Sequence, residues 1–132
     1  MGIGKYQMLI EQQIFDRLST DTTISGYVGN RVFPSLPTEE DPQLPFIWFV
    51  QSSVLPFYSL GGTTGTTRQE FEIQVWAETF QQAGDIADAV RVRLDKFSGG
   101  NIQECFFAGM NSDESEDLGC CKVLDFVFFF TG

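Results

Sequence analysis

The sequence predicts a single α+β domain. Three observations carry this: two stretches with helical apolar periodicity, one stretch of strict two-residue alternation, and further runs that are apolar on both faces. A chain of 132 residues suits one core and buries roughly two-thirds of the surface its unfolded form exposes. With 42% hydrophobic residues and 14 Phe, that core needs no disulfide.

Tyr6, Ile10, Ile14 and Leu18 recur at four-residue spacing, and Leu9 and Phe15 widen the stripe, which predicts an amphipathic helix over about residues 4–19. The polar run STDTT ends it. A short turn or helical piece follows around Ile24 to Val28, then a brief strand at Arg31-Val32-Phe33 closed by Pro34. The segment PSLPTEEDPQLP holds four of the five prolines and three acids, so an exposed extended loop is expected there.

Phe46 to Ser52 reads as a strand covered on two sides, with Pro56 closing the tract after it. GGTTGTT reads as a flexible connection. From Arg68 the chain alternates: Phe71, Ile73, Val75 and Ala77 point one way, and Glu70, Glu72, Gln74 and Trp76 the other. Trp76 on that polar face is a candidate partner contact.

Thr79 followed by Gln82 is a capping-box pattern, and Ala83, Ile86, Ala87, Val90, Leu94 and Phe97 form the apolar face of the helix it starts. Gly99 and Gly100 are expected to stop that helix, and Asp88 with Arg91, and Arg91 with Asp95, to pair on its exposed side. Residues 101–110 and 119–130 read as two more strands separated by the acidic loop SDESED. The last is apolar on both faces, and its run from Phe126 to Phe130 is an aggregation hazard unless helices cover one side and a second subunit the other.

Composition excludes several kinds of function. Eighteen acids against eight bases leave a formal charge of −10, a field that repels phosphate backbones, so stable nucleic-acid binding is not expected. No stretch approaches the ~20 apolar residues of a membrane span. The N-terminus shows no secretion-signal pattern, and Tyr6 breaks the myristoylation pattern. Cys105, Cys120 and Cys121 are an odd number, two of them adjacent in a strand and so on opposite faces; with no histidine they suit buried small hydrophobes in a reducing compartment better than a zinc site.

No catalytic group stands out, and neither a cofactor nor a metal site is expected. Without histidine, acid–base work would need a shifted carboxylate, cysteine or lysine. Glu70 and Glu72 lie about 7 Å apart on one strand face, compatible with paired-carboxylate hydrolysis, but any half-exposed strand alternates in this way. GGTTGTT fits no phosphate-binding motif and lacks a following lysine. A calcium loop started at Asn111 has Glu116 where glycine is required and Lys122 where the closing glutamate belongs.

The order of elements, with LPFIWF after a proline-rich loop, the Tyr58-Ser59-Leu60-Gly61 turn, FEIQVWAETFQQAGDIADAVRVRLDKFSG and a closing hydrophobic strand, resembles the tail-completion, or tail-terminator, proteins of long-tailed bacteriophages, prophages and gene-transfer particles. The likeness covers nearly the whole chain and is strongest from Gln69 to Gly99; the TEEDPQ and SDESED loops and the Phe-rich end depart from the usual pattern. It implies a ring-forming α+β subunit, with a mainly antiparallel sheet of about four to five strands packed against two helices. It further implies a hexameric ring in the virion, on the head-proximal end of the tail tube, that stops tube polymerisation and receives the neck of the filled head.

The implied partners are other copies of the chain, the tail tube protein and a neck or connector protein, with DNA only in transit. Tyr58, Leu60, Gly61, Gly62, Thr63, Thr64 and Gly65 then read as a contact arm, with Trp76 at an interface. Glu70 and Glu72, and the loop acids Glu39, Glu40, Asp41, Asp113, Glu114, Glu116 and Asp117, are candidates for an acidic lumen or loop surface past which DNA would slide without sticking. Another neck component, a connector or stopper, is the neighbouring reading; a small acidic hydrolase or ligand-binding domain is the reading from a different class.

Overall fold

The computed structural model describes residues 10–34, 43–59, 62–100, 102–116 and 119–131, with backbone alone for 55–59 and 62–65. In chain order the elements are α1 (Ile10–Ser19), α2 (Thr22–Val28), β1 (Val32–Phe33), β2 (Phe46–Ser59), β3 (Gly62–Ala77), α3 (Phe80–Leu94), β4 (Ile102–Ser115) and β5 (Gly119–Thr131). The strands form one sheet in the order β1-β2-β3-β5-β4, in which β1 runs parallel to β2 and every other pair is antiparallel. This is the expected α+β class, with the short piece before β1 folded as a third helix.

Helices α2 and α3 each start at a side-chain cap. Asp21 accepts from the Ile24 N–H at 2.9 Å to open α2, and Thr79 accepts from the Gln82 N–H at 3.1 Å to open α3. The expected start of α1 before Ile10 lies outside the described residues. Arg17 and Arg93 tie α1 to α3 by donating to each other's backbone carbonyls, at 3.2 and 2.9 Å, and Arg93 also reaches the Asp21 carboxylate at 3.6 Å.

Helix α3 stops at Leu94, five positions short of the expected Gly99. The cause is the neighbouring sheet edge, which supplies partners for the last turn. Lys96, at φ 66°, donates its N–H to the Cys105 carbonyl at 2.8 Å, and the Asp95 carboxylate accepts from the Phe107 N–H at 3.1 Å. Asp95 is therefore turned toward β4 rather than toward Arg91, whose guanidinium stands 6.0 Å from the centre of the Phe107 ring.

The three described helices lie on one face of the sheet. Ile14, Leu18, Ile24 and Val28 from α1 and α2, with Ile86, Val90 and Leu94 from α3, meet Phe49, Phe71, Ile73, Leu124, Phe126 and Phe128 in one dry core. Ala83 and Ala87 let α3 approach β3 and β5 closely. Phe71 and Phe128 meet edge to face with centroids 5.6 Å apart, and burying a ring of that size contributes about 2–3 kcal/mol.

Three boundaries differ from the sequence expectation. Strand β2 continues through Pro56 to Ser59, because Pro56 pairs with Thr67 on one side only and lies beyond the reach of β1. The glycine-threonine run is no loose connection: β3 begins at Gly62, and Tyr58 pairs with Thr63 and Ser59 with Gly62, so β2 and β3 pair as one long hairpin. β-branched threonines and a pairing partner outweigh the glycines there. Likewise β4 runs on to Ser115, so Asp113 and Glu114 sit on a strand opposite Cys121 and Cys120, and only Glu116 begins the turn.

Candidate functional site on the open sheet face

Cross-strand partners share a face, so the register lays out the side of the sheet turned away from the helices. At one end stand Phe46, Trp76, Cys121 and Asp113, followed by Trp48, Gln74, Val123 and Asn111. Next come Val50, Glu72, Asp125 and Gly109, then Glu70, Val127 and Phe106, then Arg68, Phe129 and Glu104. Phe106 and Val50 remain 40% and 39% exposed.

The first row is a small second core. Phe46, Trp76 and Cys121 are buried against Leu44, Phe33, Trp48 and Val123. Gly119 makes this closure possible: at φ 103° a side chain is strained, and a Cβ there would stand 2.6 Å from the Ala77 carbonyl oxygen and 3.2 Å from Leu44. Trp76, expected at an interface, is only 7% exposed within the subunit.

Gln74 is the hub of the face. Its carbonyl oxygen accepts from both indoles, Trp48 at 2.8 Å and Trp76 at 2.9 Å, and its amide nitrogen donates to the Glu72 carboxylate at 2.5 Å. Indole N–H groups only donate, so they dictate which way the amide lies, and its nitrogen must then turn to an acceptor. An alternating strand thereby becomes a fixed chain from two aromatics to one carboxylate.

Three carboxylates gather beyond it. Glu72 and Asp125 are directly opposed, and Glu70 lies one row further, where the Arg68 guanidinium donates to it. Burial, then Glu72, then Glu70 push the Asp125 carboxyl above its usual range. Burial, followed by Asp113 and Glu72, pushes the Cys121 thiol up to about 12, so it is no nucleophile at neutral pH. Burial also raises Cys105, on the helix side.

Of the other predicted acids, Asp113, Glu114 and Glu116 are exposed, while Glu39, Glu40, Asp41 and Asp117 lie outside the described residues. Within the predicted arm, the backbones of Tyr58 and of Gly62 to Gly65 belong to the β2–β3 hairpin; Leu60 and Gly61 are outside the described residues. The structure brings Glu70 and Glu72 together and adds Arg68, Gln74 and Asp125, which sequence reasoning had not singled out. Asp125 had a signal, as the one acid in GCCKVLDFVFFF.

The face is half-exposed, with an aromatic rim where Phe106 and Phe129 meet edge to face at 6.1 Å. A shallow groove between α1 and α3, lined by Gln13, Asp16, Arg17, Thr20, Arg93 and Phe97, is on the other side of the sheet from the acids. Among the described residues no group of three or more Cys, Asp or Glu is placed to hold a metal ion. No described helix is long and apolar enough to cross a membrane. With Glu70 and Glu72 engaged, the Cys121 thiol raised and aromatics at the rim, the face offers groups suited to contact between surfaces.

A family model described as "Tail completion protein gp17" matches residues 12–118. No curated protein matches the chain. Among solved structures, the chain is similar to one from "Virion of native gene transfer agent (GTA) particle", with a TM-score of 0.73, 20% identity, and coverage of 90% of this chain and 92% of that one.

Proposed function

Since the chain belongs to the tail completion protein gp17 family, the structural proteins of the virion tail, we propose that it caps the head-proximal end of the tail tube as a ring, most simply a hexamer. The ring ends tube polymerisation and presents the surface on which the neck of the filled head docks. Its partners are its own copies, the tube protein and a neck or connector protein. No catalytic step is part of the role.

The observation that carries this reading is a sheet with one face packed under helices and the other left half-exposed and acidic, in a chain whose family matches over residues 12–118. Glu70, Glu72 and Asp125 are on that face, and a lumen lined by them would pass DNA without holding it. The β2–β3 hairpin, which runs on past the last β3–β5 pair at Thr66 and Thr131, is the arm toward the tube or the neighbouring subunit.

Deletion in the parent phage followed by electron microscopy tests the role. Tails of uncontrolled length with unattached heads are expected; normal tails on normal particles would refute it. Protein found on heads and absent from tails would move it to a connector or stopper. The acidic lumen fails separately, if an assembled ring has a neutral or basic channel.

A further inference from the structure

Both edges of the sheet are covered for only part of their length, and at opposite ends. Beyond β2, β1 reaches only Ile47 and Trp48. Beyond β4, the segment after α3 takes the Cys105 carbonyl through Lys96 and the Phe107 N–H through Asp95. Ladder groups alternate inward and outward, and the bulges between Gln51 and Ser53 and between Phe107 and Gly109 shift the parity. The open outward positions are thus Gln51 and Val54 on β2, and Met110 and Ser112 on β4. Among the described residues no further strand lies outside either edge there.

These half-edges carry exposed apolar side chains, Val54 at 47% and Met110 at 42%, both rooted on the helix side of the sheet. Their charges differ: β2 holds no acidic or basic residue, while β4 holds Glu104, Asp113 and Glu114. We propose that the open half of β4 pairs with the open half of β2 from the next copy, so that the sheet continues from subunit to subunit; this rests on the ring proposed above.

The occupant is a second copy because one chain carries both matching halves. Two β4 edges meeting through their open halves would each bring Asp113 and Glu114 to the contact, whereas β4 beside β2 opposes no like charges, because β2 holds none. Such a head-to-tail contact is the kind that closes rings. Strands β2 and β4 run in opposite directions within the sheet, and rotation about a ring axis keeps that sense, so the new ladder is antiparallel.

The register also sets a stagger. Gln51 and Val54 stand level with Phe126 and Phe128 of β5, but Met110 and Ser112 stand level with Leu124 and Lys122. Pairing them shifts the next copy by about four positions, or roughly 14 Å, across four strands that span roughly 19 Å. The strands then tilt by about 35°, within the range of closed barrels. The same shift carries the neighbour's β1 past the end of β4. Pro56, with no N–H to offer, ends the pairing before β2 meets the segment covering Cys105 and Phe107.

The test uses tails assembled with Val54→Cys, Met110→Cys or both, in a Cys120→Ser background, treated with a short thiol bridge and run on a denaturing gel. A ladder of linked chains from the double variant and none from either single variant is expected. Linking by Met110→Cys alone would mean that β4 edges meet each other and would overturn the pairing. Capped tails of normal length with no linking in the double variant would overturn it while leaving the ring intact. Tails that carry no copy of the protein would bring down the ring and the pairing together.

Discussion

Replacing Gln74 by Met keeps the length and volume of the side chain and removes the acceptor shared by Trp48 and Trp76, as well as the donor to Glu72. Trp76 is 7% exposed, so its indole N–H loses its partner where water barely reaches, at about 2 kcal/mol. Trp48 is half-exposed and regains water, adding about 0.5 kcal/mol. The thioether recovers part of this by apolar burial, leaving a net loss of about 2 kcal/mol.

For a chain of this size such a loss corresponds to a fall in Tm of roughly 7 °C. Thermal unfolding followed by circular dichroism measures it, and tryptophan fluorescence reports the indoles directly. Gln74→Glu is the companion. It keeps an acceptor but places a third charge beside Glu72 and Asp125, so its stability should be poor at neutral pH and recover on acidification as the carboxylates protonate. A Gln74→Met protein that melts within about 2 °C of the parent, with unchanged fluorescence, would refute the hub.

Phe128→Ala empties a fully buried site between Phe71 and Phe126 and should cost about 3–5 kcal/mol in urea unfolding, with Phe128→Leu losing much less. Gly119→Ala meets both a left-handed backbone and the Ala77 carbonyl and should cost about 2–3 kcal/mol, whereas Gly109→Ala, with open space around it, should stay within about 0.5 kcal/mol by the same measurement. Asp125 has a raised pKa in the fold, so the folded state binds its proton more tightly than the unfolded chain, and that stabilisation is lost as pH rises through the raised value. Asp125→Asn should therefore raise Tm at neutral pH, with the gain vanishing toward about pH 3; a constant gain across the titration would exclude the carboxylate as its source.

The parts read correctly from sequence are those where one local signal sufficed. The N-cap at Thr79, the apolar face from Ala83 to Leu94 and the alternation from Phe71 to Ala77 each follow from short-range signals, and the structure keeps them. The boundaries failed where a distant partner outweighed local composition. Gly99 looked like the helix stop, but Cys105 and Phe107 claim the chain at Lys96 and Asp95. GGTTGTT and SDESED looked like loops, but pairing with β2 and β5 extends the strands into both.

The candidate site shows the same division. Glu70, Glu72 and Trp76 were visible as the polar face of one strand, since alternation is a property of neighbouring residues. That Asp125 faces Glu72, that Gln74 serves two indoles, and that Trp76 is closed in by Phe46 and Cys121 depend on β3 lying between β2 and β5 in the sheet. The sequence by itself determined the elements, the two-sided apolar final strand and the family. Only the tertiary structure decided which acids meet, which aromatics are spent inside the subunit and which halves of the sheet edges stay open, because strand order and register join residues that local periodicity cannot relate.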